Sequence, residues 1–291
     1  MFVKVGKREL ELGGPHLEEL RDSNDIMHDV VALRQRIADD GYLLLRGFHD
    51  QEQVLKARLA VLAKMDKMGK LARDTLLEEG FMADGSKSLF LGGTNEDLPE
   101  LLDVLNGQHV MRFFDQLLGE QSLTYHYKWL RAVGKGDYTG AHYDIIYMGR
   151  GTHNLYTVWS PLGDISYEMG GLAICLNSHR FEDLKQSYGT KDADRDDIGA
   201  YTDDPLVITN KYGGKWATTE FKAGDVLIFG MFLMHCSLEN TTNQYRLSVD
   251  TRYQSSREAV DSRWSGKQPR GHSNPRWSGK QPNGPVNDAA L

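Results

Sequence analysis

Apolar positions change their spacing near residue 120, and the change divides the chain into two textures. Upstream the spacing is helical. In DIMHDVVALRQRIADDGY, residues Ile26, Val30, Val31, Leu33 and Ile37 follow a helical repeat, and Gly41 supplies a stop. YLLLRGF reads next as a short buried strand. Asp50 followed by Gln53 forms a capping-box pattern ahead of a helix over QEQVLKARLAVLAKMDK. LPELLDVLNGQHVMRFFDQLLG predicts a further helical stretch, broken near Gly107. Downstream of Gly119 the pattern shortens to segments rich in Tyr, Val, Trp, Thr and Ile between Gly, Asp and Asn. SLTYHYKWLRAV, NLYTVWSPL, GGLAICLNSH, PLVITN, WATTEF, DVLIFGMFLMH and RLSVDTRY all read as strands. Short strands in series predict a mainly β fold with flanking helices, its core a jelly roll of two sheets packed face to face.

These textures set the expected boundaries. Residues 1–253 form one domain, helical over about 1–119 and jelly roll over about 120–253. The Asp-rich stretch 181–204 reads as an insertion or loop between strands. Residues 254–291 form a tail in which RWSGKQP at 263–269 recurs at 276–282. Two copies are too few for a repeat fold, and the composition predicts a solvated or loosely draped segment. The alternative is that Trp264 or Trp277 docks back on the body, or on a second subunit in a homo-oligomer.

Composition narrows the function classes. With 40% apolar residues the 291-residue chain can bury a sizeable core. No run of about 18 apolar residues predicts a membrane span, and MFVKVGKRELELGG lacks the pattern of a signal peptide. Only Cys175 and Cys236 are present, which fits a reducing cytoplasm rather than a disulfide framework. A net charge of −7 argues against a nucleic-acid partner and leaves a small molecule as the expected one.

The chemistry rests on four residues. His142 and Asp144 stand two apart in AHYDIIY, His235 ends DVLIFGMFLMH, and Arg246 lies in YRLSVDTRY. A His-x-acid pair alone says little. With ten histidines and 41 acidic residues about one match arises by chance, and His16-Leu17-Glu18 is a second. Context adds weight. On an extended chain His142 and Asp144 point to one side. His235 ends the most hydrophobic strand, at the rim of the barrel. Arg246 follows the turn ENTTNQ and so stands on the neighbouring strand, facing the same cavity. Two imidazoles and one carboxylate can hold one face of an iron(II) ion and leave the other open. Arg246 with Ser248, two residues on, can hold a carboxylate by a guanidinium and a hydroxyl together. The same face repeats at Asp250 and Arg252.

From about Gly41 to Tyr253 the chain resembles the phytanoyl-CoA dioxygenase family of iron(II)/2-oxoglutarate oxygenases. The resemblance is carried by DDGYLLLRGF, by VWSPLGDISYEMGGLAICLNSHR and by HCSLENTTNQYRLSVDTRY. It implies iron(II) on His142, Asp144 and His235, and 2-oxoglutarate and O2 as co-substrates. It implies Arg246 and Ser248 on the far carboxylate of 2-oxoglutarate, Trp159 close by, and Ser237, Lys87 and Lys128 as further co-substrate contacts. The reaction implied is hydroxylation of an unactivated C–H bond, with succinate and CO2 released. Relatives that halogenate lack the acid at position 144. One departure is Leu176-Asn177-Ser178-His179 where the family reads Pro-Gly-Ser-His; Asn is the residue after glycine that best tolerates positive φ, so Asn177 can keep the turn.

Substrate contacts are sought among side chains near the motif: Tyr127, Trp129, Arg131, Tyr143, His153 and Arg252. Cross-strand packing is the competing explanation for the aromatics. Two other functions fit the same fold, a non-catalytic jelly-roll binding module and a cupin-type metalloenzyme that does not use 2-oxoglutarate. No phosphate-binding glycine loop, zinc CxxC pair or nucleophile elbow is present.

Overall fold

A computed structural model describes residues 1–274. Two sheets face each other. The larger runs, in spatial order, through Tyr42–Leu45, Val226–Gly230, Leu155–Pro161, Arg246–Ser255, Trp129–Val133 and Leu89–Phe90, with Ser122–Thr124 also paired to Arg246–Ser255. The smaller runs His235–Ser237, Leu172–Cys175, Trp216–Thr218 and Leu17–Glu19. A separate hairpin joins Phe2–Val5 to Arg8–Glu11.

Strands Tyr42–Leu45 and Val226–Gly230 of the larger sheet are buried on both faces, which is why they read as continuous apolar runs. Alternation sorts them. Leu43, Leu45, Val158, Val226 and Ile228 pack outward with Leu33, Val110, Phe114 and Leu117 of helices Val30–Asp40 and Gln108–Leu118. Tyr42, Leu44, Trp159, Leu227 and Phe229 face inward, onto Leu172, Ile174 and Ala217 of the smaller sheet.

The helices begin and end where their polar residues dictate. Asp29 caps the first by accepting the N–H groups of Val31 and Ala32, and Gly41 closes it at φ 83°. Asp50 accepts the Gln53 N–H at the head of Gln51–Lys67. Gly107 separates Pro99–Asn106 from Gln108–Leu118.

Several expectations are corrected. PLVITN is a helix, Pro205–Tyr212, despite its β-branched residues. Asp204 accepts the Leu206 N–H, and proline occupies a first-turn position where its missing N–H costs nothing, so the start signal outweighs strand propensity. DVLIFGMFLMH is two strands. The chain leaves the larger sheet after Gly230, turns with Leu233 N–H on the Gly230 carbonyl at 3.2 Å, and enters the smaller sheet at His235. Arg246 therefore stands on the sheet opposite His235, not on the neighbouring strand, although both face one cavity. SLTYHYKWLRAV breaks at residues 125–128, where the Tyr127 N–H turns to the Trp264 carbonyl. Within 181–204 lie the short helices Glu182–Gln186 and Ala193–Asp196.

The tail differs most. The last strand continues through Ser255, and Asp261, Arg263 and Trp264 are buried in the body. Trp264 takes the docked alternative; Trp277 lies outside the described residues. Among those residues no helix is long and apolar enough to cross a membrane.

Asn177 occupies the left-handed region at φ 63°, ahead of the turn Ser178–Arg180. In that turn the Ser178 carbonyl accepts from the Tyr143 hydroxyl, and the Ser178 hydroxyl oxygen accepts from the Met234 N–H. Asn177→Gly should leave stability nearly unchanged in chemical denaturation, whereas Asn177→Val should lower it by about 1–2 kcal/mol. Equal stability for both variants would contradict the turn geometry.

His49 offers a second test. Burial, and then the neighbouring His109, pushes its pKa down from 6.5 to about 3. The unfolded chain therefore takes up this proton before the folded one, so stability present at neutral pH is lost as pH falls from about 6.5 toward about 3. His49→Phe should flatten that part of the stability–pH curve; an unaltered slope would show that His49 is not the group titrating.

Candidate active site

His142 and His235 meet because their backbones exchange hydrogen bonds. The His142 N–H donates to the His235 carbonyl at 3.0 Å, and the reverse bond is 3.1 Å. Residues paired in this way present their side chains on the same face, and the two imidazole centroids lie 4.2 Å apart. Asp144 sits two residues beyond His142, at the start of the short helix Ile145–Met148.

Each imidazole is fixed by a carbonyl two residues earlier. Nδ1 of His142 lies 2.8 Å from the Gly140 oxygen, and Nδ1 of His235 lies 2.9 Å from the Leu233 oxygen. A carbonyl can only accept, so Nδ1 carries the proton and Nε2 keeps its lone pair. Both Nε2 atoms lie 3.7 Å from Asp144 Oδ1. Donors about 2.1 Å from one ion stand roughly 3.0–3.4 Å apart, so a closure of about half an ångström would bring these atoms onto one ion, and these three residues are the group of metal-ligating side chains found among the described residues.

The two oxygens of Asp144 are used differently. Oδ2 accepts from the Thr157 hydroxyl at 2.5 Å and from Arg252 Nη2 at 2.9 Å. Oδ1 is left facing the imidazoles. Burial alone would push the Asp144 carboxyl up, but Arg252, His235 and His142 hold it well below the usual carboxylate range. Burial and the adjacent His142 push His235 down to about 3. An ionised carboxylate and an imidazole that resists protonation are the forms a divalent metal binds.

Beside this set lies a cavity lined by Thr139, Trp159, Ser237, Arg246, Arg131 and Asp250 along with the two histidines. Arg246 is almost fully buried and makes no ion pair among the described residues. Its Nη1 donates to the Ser248 hydroxyl at 2.5 Å, Trp159 lies 5.9 Å from its guanidinium carbon, and Nε has no partner. Burial, and then Arg131, pushes its pKa down to about 10, which leaves it charged at neutral pH. Ser237 accepts the Thr139 N–H at 2.8 Å, so its own proton remains available to a ligand.

Other expected contacts are not brought to the cavity. Lys128 follows the chain break and falls on the other face of the larger sheet; it is buried and donates to Thr124, Thr251 and the Tyr125 carbonyl. Lys87 is exposed, and its carbonyl serves the Tyr245 hydroxyl. Tyr143 points away from its neighbours at 142 and 144, into the core. His153 is exposed in a separate groove. Arg252 pairs with Asp144 and stacks 4.5 Å over Trp129, and Tyr127 packs against Trp129 and Trp264. Arg131 lines the cavity with both Nε and Nη2 on Asp250 at 3.3 Å. Thr157 escaped the sequence reading, although it stands two residues before Trp159 and alternation puts both on the inner face.

Fold and site together define a jelly-roll metalloenzyme with a buried cationic end to its cavity. Residues 37–248 match the model of the family described as phytanoyl-CoA dioxygenase (PhyH). The chain belongs to that family and is an oxygenase of the iron(II)/2-oxoglutarate-dependent class. A curated relative, the 1-deoxypentalenic acid 11-beta-hydroxylase of Streptomyces exfoliatus, is 25% identical over 261 residues, covering 82% of this chain and 86% of that protein. Two solved structures share the fold at 16% identity. EctD from S. alaskensis, with 2-oxoglutarate and 5-hydroxyectoine, gives a TM-score of 0.58 over 86% of this chain and 84% of its own. The epimerase SnoN, in complex with Fe3+, alpha ketoglutarate and nogalamycin RO, gives 0.57 over 79% and 85%.

Proposed function

We propose that the protein hydroxylates an unactivated C–H bond of a small molecule, releasing succinate and CO2 from 2-oxoglutarate. One observation carries the reading: a buried guanidinium without an ion-pair partner among the described residues shares a cavity with His142 and His235, two members of a three-donor set that could hold a metal. In this reading His142 Nε2, His235 Nε2 and Asp144 Oδ1 hold iron(II). Arg246 receives the far carboxylate of 2-oxoglutarate. Ser248 and Ser237 each accept a hydrogen bond from the protein and so turn a proton toward that carboxylate. Trp159 walls the cavity and excludes water, which strengthens the charge pairing. Iron(II) bound there supplies the redox chemistry that couples oxidative decarboxylation of 2-oxoglutarate to oxygen insertion.

Hydroxylation is favoured over halogenation because Asp144 fills the third protein position on the metal. The names of the curated relatives also support it. A cupin-type metalloenzyme that ignores 2-oxoglutarate leaves the buried charge of Arg246 without a purpose, and a non-catalytic module leaves both Nε2 atoms without one.

Anaerobic titration with Fe(II) and 2-oxoglutarate should produce the visible charge-transfer band of the chelate. His142→Ala and Asp144→Ala should abolish both the band and succinate formation. Arg246→Ala should raise the KM for 2-oxoglutarate by roughly 10- to 100-fold, the worth of a charged hydrogen bond. Iron-dependent succinate formation that survives undiminished in both metal-site variants would sink the assignment.

A further inference from the structure

We propose that the C-terminal segment Asp261–Asn274 is a strap that positions the metal centre, with Trp264 and Arg263 as its positioning residues. The proposal rests on the reading of His142, Asp144 and His235 as metal ligands and extends it to a part of the chain beyond the residues matched by the family model.

The strap reaches the ligands by three routes. The first runs to Asp144 through a stack. Trp264, 1% exposed, packs 4.9 Å from Trp129 and 5.1 Å from Tyr127. Trp129 carries the Arg252 guanidinium on its other neighbour contact, at 4.5 Å, and Arg252 donates to Asp144 Oδ2. The second runs to the backbone behind Asp144. Arg263 Nη2 donates to the Tyr147 carbonyl at 2.8 Å, within the short helix that Asp144 begins. The third runs to His142. His272 of the strap lies edge-on to Tyr147 at 5.8 Å, and Tyr147 lies edge-on to His142 at 5.4 Å.

A latch holds the strap in place. Asp194, on the short helix Ala193–Asp196, accepts from Arg263 at 2.7 Å, from His272 Nδ1 at 3.1 Å and from the Asn274 N–H at 3.1 Å. Asp261 takes the remaining Arg263 donors at 3.0 and 2.6 Å. The approach is close as well as charged: a Cβ on Gly151 would sit 2.5 Å from the Asp261 nitrogen, so only glycine lets the strap enter here.

The physical consequence concerns Asp144. Its Oδ1 faces the histidines only while Oδ2 is held, by the Thr157 hydroxyl and by a guanidinium that lies between Trp129 and the carboxylate. Without Trp264, Trp129 keeps only Tyr127 of its two aromatic neighbours, so the Arg252 guanidinium gains freedom and Asp144 with it. Partners that orient a ligand in this way are typically worth 10- to 100-fold in metal affinity.

The test compares Fe(II) affinity, by competition with a chromophoric chelator, across full-length variants. Trp264→Ala should bind Fe(II) about 10-fold more weakly, with Trp264→Phe recovering most of the loss. Asp194→Asn, remote from the ligands, should weaken binding in the same direction. A cooperatively folding Trp264→Ala with wild-type Fe(II) affinity overturns the proposal; if that variant does not fold, wild-type affinity in Asp194→Asn overturns it. Wild-type protein that binds Fe(II) without a charge-transfer band on adding 2-oxoglutarate would refute the co-substrate reading and leave the strap to be judged on affinity. Wild-type protein that binds no Fe(II) overturns both.

Discussion

The centre depends on dividing one buried carboxylate between two tasks. Asp144 is almost completely enclosed, and an ionised carboxylate in such a place is costly unless it is paired. Arg252 and Thr157 satisfy one oxygen and thereby aim the other. Neither donor alone would suffice. The hydroxyl fixes orientation but brings no charge, and the guanidinium supplies charge but needs Trp129 to hold its plane. The apparatus around the site can be understood as what keeps those two donors in place.

Sheet pairing provides the other half of the geometry. The histidines come from segments about ninety residues apart, yet a mutual pair of backbone hydrogen bonds sets them opposite each other. A slip of one residue would turn Cys236 toward His142 and Asp144 and His235 into the core, because strand side chains alternate. Such a slip is opposed on both sides. Cys236 is buried in the core cluster, and the Ser178 hydroxyl anchors the Met234 N–H one residue before His235. The turn at Asn177 thus contributes to the register of a strand that it does not join.

Much of this was legible in the sequence. Period-two spacing around Arg246 predicted a shared inner face through Ser248 and Asp250, and capping residues marked Gly41 and Asp50 as helix limits. What escaped was non-local. The crossing from one sheet to the other between Gly230 and His235 leaves no break in hydrophobicity, since Met231, Leu233 and Met234 are buried in the turn as well. Lys128 is placed beside the co-substrate by the family resemblance alone, and its ammonium is taken instead by Thr124, Thr251 and the Tyr125 carbonyl. The proline, glycine and polar content of the tail matches a solvated chain and does not choose between that and the docked alternative. Trp264 packs on Tyr127 and Trp129, more than a hundred positions away. Composition reports what a segment can bury by itself, not the acceptors waiting for it elsewhere.

Charge balance along the cavity gives the proposed co-substrate its physical basis. Two guanidinium groups line the space, but Asp250 lies against Arg131, while Arg246 makes no ion pair among the described residues. The cavity thus offers one charge without an ion-pair partner among the described residues at one end and the His142 and His235 imidazoles at the other. A ligand with two remote carboxylates at the Arg246 end would force one of them to compete with Asp250 for Arg131. A monocarboxylate bound only through the metal would leave Arg246 buried and unpaired. A diacid that chelates at one end and extends one carboxylate to the other meets both demands, and 2-oxoglutarate is such a molecule. Selectivity in this reading comes as much from the Arg131–Asp250 pair, which cancels a second positive charge, as from the arginine that remains.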